Sequence, residues 1–298
     1  MTRHDKPKTA VTVGTFDGLH KGHRKVLTTL KEEASKRGLR PVVFTFDRHP
    51  LETVAPHRAP AFVQSPSQRN NELWSQGLEL KVLEFTPDNA ALTASQWMRR
   101  LKDVHDTLLL VVGYDNTFGC DGVGLSIEDF VDIGRELGIE VISAPIERGI
   151  SSSAIRHLLS SGKIEEANSM LGRPFEITGK VVHGEAMGRS LGFPTANIHI
   201  PYRAHLPMKG VYVADALTPD GKVFRSVVNV GRRPTVSDSE RLSVEAHLIG
   251  FEGDLYDRRL TLRFRKFLRC EKKFDSIEDL KDGIRKEVEA VKKADTPN

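Results

Sequence analysis

Two histidines three residues apart, His20 and His23, sit in the string Gly14–Arg24, GTFDGLHKGHR. A strand-like run (Thr9–Val13) precedes the string and a helix-like run (Lys25–Arg37) follows it. A helix start has unpaired backbone N–H groups and partial positive charge, so it favours phosphate. Imidazoles there add hydrogen bonds to the same oxygens. Attack on phosphorus builds charge on those oxygens, and donors already in place lower the barrier without a covalent intermediate. Taken singly, each histidine reads equally well as a surface side chain flanking a helix. The whole string after a strand predicts a nucleoside triphosphate site, with Gly14, Phe16 and Asp17 in its loop.

A second element, Ile150–Arg156 (ISSSAIR), follows the last strand-like run of this half. Its serines can cap the next helix or face phosphate, and a guanidinium on the first turn can bind a pair of phosphate oxygens. Ser152 and Arg156 are its candidates, although a capped helix with a solvated arginine accounts for the stretch in isolation. FDRHPLE (46–52) and GYDNTFGCDGVG (113–124) also directly follow strands, which makes His49 and Asp115 candidates for nucleotide or acceptor contact.

The second half offers different chemistry. In GRSLGFPTANI (188–198), Thr195 and Asn197 present hydroxyl and amide oxygens, the kind of ligand that suits Mg²⁺ sharing its shell with phosphates and water. A turn whose Thr and Asn satisfy their own backbone is the competing explanation. In VEAHL (244–248), Glu245 alternates with Val244 and Ala246, so a strand can hold it rigidly. A carboxylate fixed beside a ligand hydroxyl can take its proton, whereas an exposed strand glutamate does nothing.

These residues need positioning elements. Thr9–Val13, Pro41–Phe46, Thr107–Val112 and Ile139–Ser143 read as strands alternating with helices, which predicts a parallel sheet with ligands beyond its carboxyl ends. Ser126 and Asp129 mark one helix start and Gly138 its end. Ser152–Leu171 reads as helix, divided at Gly162. After Pro174, short strands over Glu176–Val182, Gly210–Ala216, Val223–Val230, Ser243–Ile249 and Arg259–Phe267 predict a small antiparallel barrel, closed by a helix opening at Ser276.

GTFDGLHKGH, FDRHP, GYDNTFG and ISSSAIR, in this order, resemble the adenylyltransferase half of the bifunctional bacterial riboflavin kinase/FAD synthetase family. The run from GRPFEITGKVVHGEAMGRSLGFPTANI through PMKGVYV, VVNVGRRPTV and VEAHLIGFEGDLYDRRL to FLRCEKKF resembles its riboflavin kinase half. The resemblance covers about residues 10 to 290. It implies a nucleotidylyltransferase α/β domain over 1–171 and a six-stranded barrel domain over 172–298. It implies that riboflavin is phosphorylated by Mg²⁺-ATP to FMN, and that FMN is adenylylated by a second ATP to FAD. It gives His20, His23 and Arg156 the transition state of adenylyl transfer, with Asp115 and Ser152 in the same site. Thr195 and Asn197 go to Mg²⁺-ATP, Glu245 becomes the base for the ribityl hydroxyl, and Gly179, Gly184 and Gly188 allow close backbone approach to nucleotide. Two departures stand out. Cys120 and Asp121 replace the basic residues usual after the Phe-Gly pair, and GIRKE (283–287) replaces the usual late-helix pattern. The first leaves a kinase-only enzyme as the nearest rival; a non-catalytic flavin- or RNA-binding regulator is a rival of another class.

Bulk properties fit an ordinary protein of two domains: 298 residues, 39% hydrophobic and 28% charged. Two cysteines far apart make neither a disulfide framework nor a zinc site. No apolar run is long enough for a membrane span, and the first residues lack a signal-peptide core, so a cytoplasmic protein without membrane or nucleic-acid partners is expected. A net charge of +4 suits ATP and phosphorylated flavin without selecting them. The sequence leaves the oligomeric state open.

Overall fold

The computed structural model describes residues 7–114, 118–184, 188, 191–232 and 242–293. Contacts divide the chain into two units, residues 1–152 and 153–298.

In the first unit, β1 (Thr9–Val13), β2 (Arg40–Phe46), β3 (Glu79–Leu83), β4 (Thr107–Val112) and β5 (Glu140–Ser143) form a parallel sheet in the order β3-β2-β1-β4-β5. Strand alternation sorts the apolar side chains onto two faces. Val11, Val13, Phe44, Leu110 and Val112 pack with Trp97, Met98 and Phe130 on one side. Ala10, Val43, Leu109 and Val111 pack with Val26, Leu27, Leu30 and Leu73 on the other. The helices are α1 (Lys21–Arg37), α2 (Pro50–Val54), α3 (Pro66–Ser75), α4 (Pro87–Ala91), α5 (Ala94–His105) and α6 (Ile127–Leu137). The chain runs from β1 outward to β2 and β3, then returns to place β4 on β1's other edge. That reversal opens a crevice at the carboxyl ends of β1 and β4, where open α/β sheets bind ligands.

Several predicted boundaries hold. The Ser126/Asp129 capping box opens α6, and Gly138 closes it in the left-handed conformation (φ +66°). Helix α1 starts at Lys21 rather than Lys25, because His20 itself caps it. Strand β3 has no counterpart in the sequence pattern: it lies at the sheet edge with no fully buried residue, so its hydrophobic signal is weak.

The second unit opens with α7, which starts at the boundary (Ser152–Ser160), and α8 (Ile164–Leu171); the break falls at Gly162 (φ +73°). Asn168 ties this pair to the strands that follow, donating to Phe264 O (2.9 Å) and accepting from Phe175 N (2.7 Å). Then β6 (Phe175–Val182), β7 (Ala196–His199), β8 (Gly210–Leu217), β9 (Val223–Arg232), β10 (Leu242–Leu248) and β11 (Arg259–Arg269) close an antiparallel barrel in the order β10-β7-β6-β11-β8-β9. The short strand β7 is the one the sequence pattern reads as a turn. Helix α9 (Ile277–Lys293) lays Val288 and Val291 on Val211, Val213 and Val227 of the barrel's outer face.

Candidate active sites

The loop after β1 is built from backbone conformations that most residues avoid. Phe16 (φ +48°), Gly18 (φ +83°) and Leu19 (φ +40°) all occupy the left-handed region. Burial of Phe16 and Leu19 holds them there, and Leu19 N donates to Phe16 O (3.1 Å). Gly14 leaves room for the Phe16 ring, which would lie 3.3 Å from a Cβ at that position.

The loop delivers His20 to the N-cap of α1, where its Nδ1 accepts from His23 N (3.2 Å). The His20 proton therefore sits on Nε2, the tautomer that can donate to a ligand. The His20 and His23 rings stack at 3.6 Å and 17°. Gly22 makes this possible, since a Cβ there would lie 3.2 Å from the His20 ring. Phe16 meets His23 edge-on at 5.3 Å. Among the described residues, the His23 Nδ1 is buried without a hydrogen-bond partner. Burial first, then the charges of His20 and Arg69, hold the His23 pKa well below its usual value. A neutral imidazole with an unsatisfied polar atom at a helix mouth is suited to a polar ligand.

Other predicted residues support this loop. The Asp17 carboxylate is buried and accepts from Val63 N (3.0 and 3.1 Å) and Gln64 N (3.2 Å), so it clasps the loop to the segment leading into α3. Ser152 donates its hydroxyl to Asp17 O (2.9 Å), which brings this serine of the ISSSAIR element to the same loop. His49 caps α2, its Nδ1 accepting from Leu51 N (3.1 Å) just beyond the end of β2. Arg156 lies on the first turns of α7, where its carbonyl meets His205 Nε2 (3.0 Å). Asp115 falls outside the described residues. The departure at Cys120 and Asp121 has a local use: Asp121 Oδ1 accepts from Ala94 N (2.8 Å) at the start of α5, and Cys120 N donates to Leu92 O (2.9 Å).

Sequence pattern does not single out Arg69. It is 2% exposed on α3 and donates to Thr15 O in the histidine loop and to Phe46 O at the end of β2, both at 2.8 Å. Ser65-Pro66 with Gln68 three residues on is a helix-start signal that locates α3. Nothing local says that Arg69 is buried.

In the barrel, strand pairing assembles the second site. Glu245 on β10 lies directly opposite Asn197 on β7 and Asn229 on β9. Opposed residues share a face, so three polar side chains form a row on the barrel's outer side. Asn229 is a further candidate; it lies within the VVNVGRRPTV run, but sequence pattern does not single it out. Thr195, Asn229 and Glu245 line one cavity of about 310 Å³, roofed by Phe274 together with Leu280 and Ile284 of α9. A smaller cavity of about 90 Å³ meets Thr195 from the other side, lined by Pro194, Ala196, Phe251, Leu255 and Tyr256.

The glycines differ in use. A Cβ on Gly188 would lie 3.2 Å from Thr195 Oγ1, and one on Gly184 would strike the Asn197 carboxamide (2.6 Å from its Cγ), so both leave space for the donor pair. Gly179 is packed into the barrel wall against Ile198 and the β7 backbone and lines neither cavity. The GIRKE departure is also structural. Gly283 makes room for Phe274, and Glu287 holds Arg269 (Nε to Oε1, 2.8 Å), fixing α9 to the end of β11.

Among the described residues, no group of three or more His, Cys, Asp or Glu side chains is placed to hold a metal ion. Thr195 and Asn197, with glycines beside them and open cavity next to Thr195, fit the other arrangement, in which a hard cation takes two neutral oxygens and completes its shell with phosphate and water.

Comparison with known proteins agrees with both halves. Residues 2–154 match the family described as FAD synthetase, and residues 171–294 match riboflavin kinase. A bifunctional riboflavin kinase/FMN adenylyltransferase of Pseudomonas fluorescens is 36% identical, over 96% of this chain and 93% of that one. The protein of the same name from Escherichia coli K12 is 38% identical, over 92% and 88%. That of Bacillus subtilis is 32% identical, over 96% and 92%. A crystal structure described as a macrolide-efflux protein from Streptococcus pneumoniae has the same fold, with a TM-score of 0.86 at 32% identity, over 96% of this chain and 95% of that one. In the present chain no helix among the described residues is long and apolar enough to cross a membrane. With relatives of one name matching both halves nearly end to end, the chain belongs to the bifunctional riboflavin kinase/FMN adenylyltransferase family.

Proposed function

We propose that the two activities of this enzyme, phosphorylation of riboflavin to FMN and adenylylation of FMN to FAD, are divided between two sites built from the residues above. Residues 172–298 carry the first and residues 1–171 the second.

In the barrel, Glu245 accepts the proton of the ribityl 5′-hydroxyl as that oxygen bonds to the γ-phosphorus of ATP and ADP departs. Thr195 and Asn197 would hold Mg²⁺, which would supply neutralisation of charge on the transferring phosphoryl group. Asn229, beside Glu245 in the ladder, keeps the carboxylate's side of the cavity polar. The apolar roof of Phe274, Leu280 and Ile284 suits the flavin ring. The observation that carries this assignment is the shared cavity of Glu245 and Thr195.

In the α/β half, a phosphate oxygen of FMN bonds to the α-phosphorus of ATP and pyrophosphate leaves. His20, through Nε2–H, and His23 stabilise charge on the phosphate oxygens, and Arg156 binds the leaving pyrophosphate. The supporting observation is the stacked imidazole pair at the α1 N-terminus with its unsatisfied Nδ1. Gly14 and Phe16 shape the loop, Asp17 and Ser152 brace it, His49 is assigned to its rim, and Asp115 is assigned to nucleotide or acceptor contact.

Incubating the full chain with riboflavin, ATP and Mg²⁺ and separating the products chromatographically tests both assignments at once. Sequential FMN and FAD are expected, and chelation of Mg²⁺ stops FMN formation. FMN without FAD, even when FMN is supplied, would leave the kinase assignment alone standing.

A further inference from the structure

We infer that Arg69 is a positioning residue of the adenylyl-transfer site, whose buried positive charge both braces the histidine loop and favours the triphosphate. The inference rests on the reading of His20 and His23 as phosphate ligands.

A guanidinium this deeply buried normally takes a carboxylate partner. Among the described residues, the hydrogen bonds of Arg69 go to neutral oxygens instead: Thr15 O and Phe46 O, both at 2.8 Å, and Asn70 Oδ1 at 3.0 and 3.1 Å. Two carboxylates act on it from further away, Asp17 and Asp47. Asp17 is committed to the Val63 and Gln64 amides, and Asp47 Oδ1 accepts from Phe85 N. Burial lowers the Arg69 pKa to about 10, against the opposing pull of the two aspartates. The group therefore stays protonated at neutral pH.

The result is a fixed cation, stripped of water and ligated by peptide oxygens, touching the loop that bears the imidazole pair. Charge in a low-dielectric setting acts more strongly and needs no reorganisation when the reaction begins. Its reach is visible at His23. The groups around that ring are Phe16 edge-on, His20 stacked on it and Arg69 from α3, and the last two both disfavour a proton there. The same positive field attracts the triphosphate. A simple tether to Thr15 and Phe46 would need only N–H donors, which a neutral amide also provides.

Two variants separate charge from tether: Arg69→Lys keeps the charge with fewer donors, and Arg69→Gln keeps amide donors without the charge. Both are assayed in the full chain with FMN, ATP and Mg²⁺, with riboflavin phosphorylation as the internal control. Arg69→Gln should lower kcat/KM for FAD formation by about ten- to a hundredfold, and Arg69→Lys should recover most of that loss. The His23 imidazole, followed by NMR titration, should gain its proton at higher pH in Arg69→Gln and stay near wild type in Arg69→Lys. Equal rates in the two variants, whether both high or both low, would overturn the role of the charge. His23→Ala in the same assay keeps the premises apart: if it still makes FAD at the wild-type rate, the reading of the histidine site itself is wrong.

Discussion

The histidine loop and the Glu245 ladder, the two sites proposed to handle phosphate, are opposite constructions. The loop is made of unusual backbone: left-handed residues, a histidine that caps its own helix, and braces from segments far away in sequence. The barrel site is made of ordinary strand, where hydrogen-bonded pairing alone sets Asn197, Glu245 and Asn229 side by side. A loop brings donors closer to a ligand than a sheet can, but it depends on every brace. A ladder tolerates changes nearby and depends on the one side chain proposed to react.

The largest test of this contrast is Glu245→Gln. It should lower FMN formation by about a thousandfold, the scale of a lost general base, while FAD formation from supplied FMN continues. His23→Ala should do the reverse, costing adenylylation about a hundredfold with riboflavin phosphorylation unchanged. If either change silenced both reactions, the two sites would not be independent.

A smaller effect concerns pH. The folded chain disfavours a proton on His23, whereas the unfolded chain takes one near the usual value of 6.5. As pH falls below about 6.5, the unfolded state binds more protons, so the α/β half should lose about 1.4 kcal/mol per pH unit from this group until the folded imidazole titrates. His105, also depressed by burial, adds a slope of the same sign. Both tryptophans, Trp74 and Trp97, lie in this half, so urea unfolding followed by their fluorescence reads it directly. His23→Gln should flatten the slope without abolishing it. Smaller still is Gly22→Ala: a methyl 3.2 Å from the His20 ring should slow adenylylation about fivefold, near 1 kcal/mol, and leave kinase kinetics untouched.

Much of the scaffold of both sites is legible in the chain's local patterns. Strands β1 and β4 fall where the apolar runs put them, and Gly162 divides its two helices as its place in the pattern predicts. The alternation of Val244, Glu245 and Ala246 does send the glutamate to the opposite side from its buried neighbours. Strands β3 and β7 are not legible, one for lack of buried residues and the other because Pro194 and Thr195 look like a turn. Asp17 and Gly179 read as ligand contacts, yet one clasps Val63 and Gln64 and the other fills the barrel wall.

The sequence by itself determined which residues are candidates for chemistry and which local element bears most of them, because caps, periodicity and turn residues act over a few positions. Only the tertiary structure decided that Arg69 reaches Thr15 across 54 positions, that Asp17 meets Val63 across 46, and that Asn197 stands opposite Glu245. Those meetings depend on how the sheet reverses and how the barrel closes, and no short stretch of chain encodes a partner that distant.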